Sequence, residues 1–145
     1  MNIIEQKFYD SKAFFNTQQT KDISFRKEQL KKLSKAIKSY ESDILEALYT
    51  DLGKNKVEAY ATEIGITLKS IKNARKELKN WTKTKNVDTP LYLFPTKSYI
   101  KKEPYGTVLI IAPFNYPFQL VFEPLIGAIA AGNTAIIKPS ELTPN

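Results

Sequence analysis

Two short apolar runs, "GTVLIIA" at 106–112 and "TAIIKP" at 134–139, leave few folds open to this 145-residue chain. Each has the length of a strand. Each also lacks the polar alternation of a strand with one wet face, so both read as strands of a parallel sheet buried on both faces. Between them, "FQLVFEPLIGAIAAG" has a helical pattern. Pro124 is expected to kink or divide that helix, and Gly132 with Asn133 to end it. Strand, helix and strand in this order make a βαβ unit, which implies a parallel pair in a doubly wound sheet. The adjoining "SELTPN" reads as the start of another helix. One βαβ unit leaves strand edges and a sheet face uncovered, so the sequence reads as cut in the middle of a domain.

Upstream the periodicity is that of helices. Leu30, Leu33, Ile37, Tyr40, Ile44 and Leu48 form one apolar stripe, with Lys27, Lys31, Lys32, Lys35 and Lys38 largely off it. Ser24 is the expected N-cap and Gly53 the expected stop. A second helix is expected over 56–82, with Asn55 as N-cap and Glu58 placed as in a capping box. Its inner face is read as Val57, Tyr60, Ile64, Leu68, Ile71, Leu78 and Trp81. Three prolines then break the pattern, and "KSYIKKE" reads as an exposed, lysine-edged strand. The chain thus divides into a helical segment (1–82), a hairpin-like linker (83–104) and the start of a dinucleotide-type domain (105–145). The linker reads as an edge hairpin or as an oligomer contact.

Composition excludes several chemistries. There is no Cys and no His, so the chain carries no disulfide, thiolate nucleophile, imidazole base or His-ligated metal. The 22 basic residues against 15 acidic ones give a net charge of +7. A basic nucleic-acid-binding module through Lys27–Lys38 is one reading of that excess, and a solvated lysine-rich helix surface is the other. The second is preferred, with no nucleic-acid partner expected. The N-terminal run lacks the apolar core of a signal peptide. The most apolar region is interrupted by Gln119, Glu123, Pro124 and Asn133, which argues against a transmembrane segment. The reading is a soluble, cytoplasmic protein.

Two glycine motifs fail. "GAIAAGNT" has Asn133 where a phosphate-binding loop needs Lys, and it closes a helix instead of opening one. No G-x-G-x-x-G occurs. The glycine-poor strand ends are more informative, because ligands of open α/β sheets bind at the carboxyl ends of strands. "APFNYPF" ends the first strand, with Asn115 between Pro113 and Pro117. "KPSE" ends the second, with Lys138 and Glu141. Pairing of the strands brings Asn115, Lys138 and Glu141 to one edge, where convergent polar groups suit a binding site. Taken singly, Lys138 is equally a snorkelling lysine and Glu141 a first-turn acid.

The run from Glu103 to Asn145 resembles the start of the cofactor domain of aldehyde dehydrogenases. The carriers are Pro-aromatic-Asn-aromatic-Pro, then Gly-Asn, then Lys-Pro-Ser-Glu. "NYPF" and "ALYTDLGKNKVEAYATEIG" look like the class 3, fatty-aldehyde-type branch, and the likeness runs from about residue 25 to 145. It implies an α/β fold: an N-terminal helical layer followed by the first βαβ of a Rossmann-like doubly wound parallel sheet. It implies Asn115 as an oxyanion-hole donor, since a neutral amide donates to developing oxygen charge. It implies Lys138 and Glu141 on the adenosine ribose of NAD, with NADP left open because Lys138 softens the repulsion of a 2′-phosphate. It implies Ile111, Ala112, Pro113 and Phe114 beside the nicotinamide-side ribose, and Tyr116 and Leu120 along a tunnel for a small-molecule aldehyde. It further implies a homodimer at full length, with the remainder of the enzyme chain as a partner of this piece. The family's cysteine, which forms a thiohemiacetal and then a thioester, and its base glutamate would lie beyond residue 145. The 145 residues alone are therefore expected to be inactive. An acyl-CoA or acyl-phosphate reductase of the same superfamily is the alternative. Phe114 replaces a Trp common in relatives, and Glu123 replaces a residue that is often neutral.

Overall fold

The computed structural model describes residues 2–145, so Met1, the first residue of the expected helical segment, lies outside them. Helix α1 (Ile3–Asn16) opens on a capping box. The Asn2 side chain accepts from the Glu5 N–H at 2.9 Å, and the Asn2 N–H donates to the Glu5 carboxylate at 2.9 Å. Helix α2 (Ile23–Ser39) is capped by Asp22 and not by Ser24. The Asp22 carboxylate accepts from Ser24 N at 3.1 Å and Phe25 N at 3.2 Å. A carboxylate caps as well as a hydroxyl and also complements the helix dipole, which places Ser24 inside the first turn.

The stripe from Leu30 to Leu48 belongs to two helices. α2 stops at Ser39 and α3 (Glu41–Leu52) begins after Tyr40, which lies outside helical geometry at φ −100°, ψ 15°. Leu30, Ile37 and Leu48 are buried, whereas Tyr40 at the break is exposed. Gly53 closes α3 in the left-handed conformation at φ 68°, as expected.

Asn55 caps the next run, accepting from Glu58 N at 2.9 Å. The run is not one uniform helix. α4 (Lys56–Ala59) passes into a π-helical turn (Tyr60–Ile64) and then α5 (Gly65–Trp81). A π turn adds a residue to the ladder and rotates the residues on its N-terminal side relative to those on its C-terminal side. Val57 and Tyr60 are consequently exposed, while Ile64, Ile71, Ala74 and Leu78 are buried. Trp81, the last residue of α5, is also exposed, at 42%. The core joins these residues to Leu30 and Ile37 of α2 and to Ile126 and Ala130 of α6 (Gln119–Ala131).

α6 is a single helix despite Pro124. It ends at Gly132, whose φ of 89° is left-handed. A side chain there would also meet Arg26, since a Cβ would fall 2.5 Å from its Nη2. Arg26 is buried and is held entirely by carbonyls, donating to Thr20 O (2.6 Å), Lys21 O (3.1 Å) and Ala130 O (3.2 Å). Gly132 thus makes room for a guanidinium that ties α6 to the segment before α2.

β3 (Thr107–Ile111) and β4 (Thr134–Lys138) pair in parallel, with Ile111 opposite Lys138. α6 packs on one face of the pair and α1 on the other. The α1 contact is at the start of the strands, where the Thr134 hydroxyl donates to Ser11 O at 3.3 Å. Beyond it, Leu109 and Ile111 are 62% and 69% exposed. The expectation of strands buried on both faces is therefore met by one face only within this chain. A separate antiparallel ribbon pairs β1 (Lys85–Val87) with β2 (Ser98–Ile100). "SELTPN" forms turns and not a helix, with Leu142 N donating to the Ser140 hydroxyl at 3.2 Å. Pro144 disfavours helical backbone at Thr143, and Asn145 ties the segment to α3, donating to Asp51 from N at 3.1 Å and from Nδ2 at 2.7 Å. Among the described residues, no helix is long and apolar enough to cross a membrane.

Candidate functional site

The parallel register brings the carboxyl ends of β3 and β4 side by side, and Ala112 N donates to Lys138 O at 3.1 Å just past the ladder. The two strand-end motifs therefore share one edge, as the topology requires. Ala112 is buried, whereas Ile111, Pro113, Phe114 and Asn115 are exposed on the turn. Among the described residues the Asn115 side chain has no hydrogen-bond partner, so its amide is free to donate. Tyr116 and Leu120 are half-buried behind it.

The turn is fastened from the helical layer. Lys54, just after the Gly53 stop, donates through Nζ to Asn115 O at 3.1 Å. The same ammonium lies 3.8 Å from the centre of the Tyr116 ring, a cation–π contact. It also pairs with Glu63 Oε1 at 2.5 Å. Glu63, in the π turn, is fully buried. Its Oε2 accepts from Phe118 N at 2.9 Å and Gln119 N at 3.2 Å.

Lys138 and Glu141 form an exposed ion pair at the end of β4. The hydrogen bond from Lys138, a backbone N–H and the lysine charge together hold the Glu141 carboxyl below its ordinary value. An ammonium with spare N–H bonds beside a carboxylate with spare lone pairs can donate to and accept from vicinal hydroxyls. That donor set fits a ribose.

A groove between α5 and α6 is lined by Ile66, Ser70, Asn73, Glu123 and Ile126, and has a volume of about 500 Å³. Tyr116 and Leu120 do not line it. Glu123 does, and its Oε1 is buried with no partner among the described residues.

Sequence reasoning did not single out Lys54 or Glu63. One signal was present: Glu63 shares a helical face with Ile71, Ala74 and Leu78, which is apolar apart from Thr67.

The profile described as "Aldehyde dehydrogenase family" matches residues 4–145, which extends the likeness through α1. A 4,4'-diaponeurosporen-aldehyde dehydrogenase of Staphylococcus aureus is 99% identical over 145 residues, covering 100% of this chain and 32% of that protein. The "Aldehyde dehydrogenase, dimeric NADP-preferring" of Canis lupus familiaris is 40% identical over 145 residues, covering 100% of this chain and 32% of that protein. A solved substrate-bound state of Staphylococcus aureus AldH superposes with a TM-score of 0.97 at 99% identity, covering 99% of this chain and 31% of the other. The chain spans about a third of the length of these relatives.

Proposed function

The chain belongs to the aldehyde dehydrogenase family, and we propose that it supplies the oxyanion donor and the adenosine-ribose grip of an enzyme that oxidises an aldehyde to a carboxylic acid with NAD or NADP. The observation that carries this reading is the Asn115 amide, unpartnered among the described residues and exposed at the carboxyl end of β3, on a turn braced by Lys54. A preorganised neutral donor stabilises the oxygen charge that develops when a nucleophile adds to a carbonyl. The bound nicotinamide cofactor would accept a hydride. Lys138 and Glu141 would hold its adenosine ribose, and residues 111–114 would flank its other ribose. The carboxylate of Glu141 disfavours a 2′-phosphate while Lys138 favours one, so the pair accepts either cofactor; the dog relative is named NADP-preferring. The chain contains no Cys, so thiolate attack requires a cysteine outside these residues.

The named relatives are dehydrogenases, which favours oxidation over acyl-CoA or acyl-phosphate reduction. The staphylococcal relative is named for 4,4'-diaponeurosporen-aldehyde, which supports an aldehyde of that type as substrate. Tyr116 and Leu120 would lie along its path. Leu91, Tyr92 and Phe94 of the ribbon connection are each more than 80% exposed, which suits a homodimer contact. A nicotinamide cofactor is an intracellular reagent, which supports a cytoplasmic location.

The test is Asn115→Ala in the full-length enzyme. Turnover should fall on the order of 10²-fold, as on losing an oxyanion donor elsewhere, with cofactor affinity little changed. Collapsed affinity with intact turnover would assign Asn115 to the cofactor instead.

A further inference from the structure

We infer that Glu63 and Lys54 are positioning residues for Asn115, acting as one ion pair that presets the turn from the helical layer; the inference rests on the oxyanion reading of Asn115. The N-terminus of α6 is where the pair is needed. A helix start leaves backbone N–H groups without intrahelical partners. α6 has no side-chain cap of its own. Glu63 supplies the acceptor instead, from a helix more than fifty residues earlier in the chain, by taking the N–H groups of Phe118 and Gln119 on Oε2. Its other oxygen takes Lys54 at 2.5 Å.

Lys54 carries the constraint to the other end of the turn. Its ammonium donates to Asn115 O and sits over the Tyr116 ring. The pair therefore fixes the backbone of Asn115, the ring beside it and the first turn of α6 together. The Asn115 side chain has no bond of its own among the described residues, so its aim depends on the backbone beneath it. Buried carboxylates are rarely kept without full hydrogen bonding, and both Glu63 oxygens are in use. The π turn places this residue. An inserted residue at Tyr60–Ile64 changes the phase of the helix so that Glu63 faces inward beside Ile64.

The experiment is a double-mutant cycle in the full-length enzyme, crossing Glu63→Gln with Asn115→Ala. Glutamine keeps the shape and one acceptor but loses the charge that pairs with Lys54. Glu63→Gln alone should lower kcat about 10-fold or more, since small misplacement of a catalytic group is costly, and should leave the KM for cofactor unchanged. In the Asn115→Ala background the same substitution should cost less than about twofold, because its target is already gone. Lys54→Met should behave as Glu63→Gln does, and Lys54→Arg should retain most of the turnover. Equal losses in both backgrounds would overturn the inference, as would an unchanged kcat for Glu63→Gln. If Glu63→Gln does not fold, the Lys54→Met cycle decides by the same criteria. Failure of the oxyanion reading is seen separately, as unchanged turnover in Asn115→Ala alone.

Discussion

Two lysine–glutamate pairs sit at the same edge of the βαβ unit and are built in opposite ways. Lys54–Glu63 joins elements far apart in sequence, is 11% and 0% exposed on its two side chains, and has every carboxylate oxygen engaged. Lys138–Glu141 is local, three residues apart, with side chains 54% and 76% exposed. The first leaves little for a ligand, since Lys54 meets Glu63, Asn115 O and the Tyr116 ring and both Glu63 oxygens are bonded. The second leaves several donors and acceptors free. Charge at a strand end is therefore not one signal. Buried and bonded to distant backbone, a pair fixes that backbone; exposed and free of it, a pair offers itself to a ligand.

The largest difference between the pairs should appear on truncation. Glu63→Ala strips the partners from a nearly buried ammonium and two helix-start N–H groups. Breaking a buried pair in this way costs about 3–5 kcal/mol, and the lower end applies because Lys54 retains some solvent. Chemical denaturation of the full-length enzyme should show that loss. Wild-type stability in Glu63→Ala would mean that the pair merely occupies the interior.

Glu141→Gln should do the reverse. Its thermal midpoint should match the wild type, because an exposed local pair contributes little to folding. Affinity for NAD should fall on the order of 10-fold, the scale of one lost hydrogen bond to a charged acceptor. NADP binding should weaken less, since a repelling carboxylate has gone. Isothermal titration with both cofactors reads the two changes. Equal weakening of both would separate Glu141 from the 2′ position.

The legibility of these pairs in the sequence depends on their range. Lys138 and Glu141 lie at the end of one apolar run, and the rule for strand ends finds them. The same rule finds Asn115, helped by the prolines around it. It does not find Lys54–Glu63, because nothing in a local window says that residue 63 will meet residue 118. The carboxylate on an apolar helix face is the visible part; the partners depend on tertiary packing. The π turn hides the geometry further, since an inserted residue leaves composition and propensity untouched while rotating Val57 and Tyr60 outward. The parallel βαβ is readable because two continuous apolar runs flank a helical pattern. Its open face, with Leu109 and Ile111 exposed, comes from the same topology. Ser24 and "SELTPN" mislead for a shared reason: several residues near a helix start can cap it, and a start signal does not ensure that a helix forms.

A third acid sharpens the contrast through pH. Glu103, just after the β2 ribbon, bonds Lys101 at 2.6 Å and Lys21 at 3.0 Å, all three exposed. The hydrogen bond from Lys101, then that from Lys21, pull its carboxyl from an ordinary 4.5 to about 2. A depressed carboxyl stabilises the folded state above its unfolded value, and that contribution is lost as pH falls through the folded one. The stability difference between wild type and Glu103→Gln should therefore be full above about pH 5 and fade toward about pH 2. Because the three side chains are exposed, salt near roughly 1 M should erase most of it. A Glu103 titration midpoint by NMR close to 4.5 at low salt would remove the effect altogether. The Lys54–Glu63 pair, shielded from solvent, should keep its contribution at the same salt, so one salt series separates a buried pair that fixes backbone from an exposed one that only tethers a ribbon.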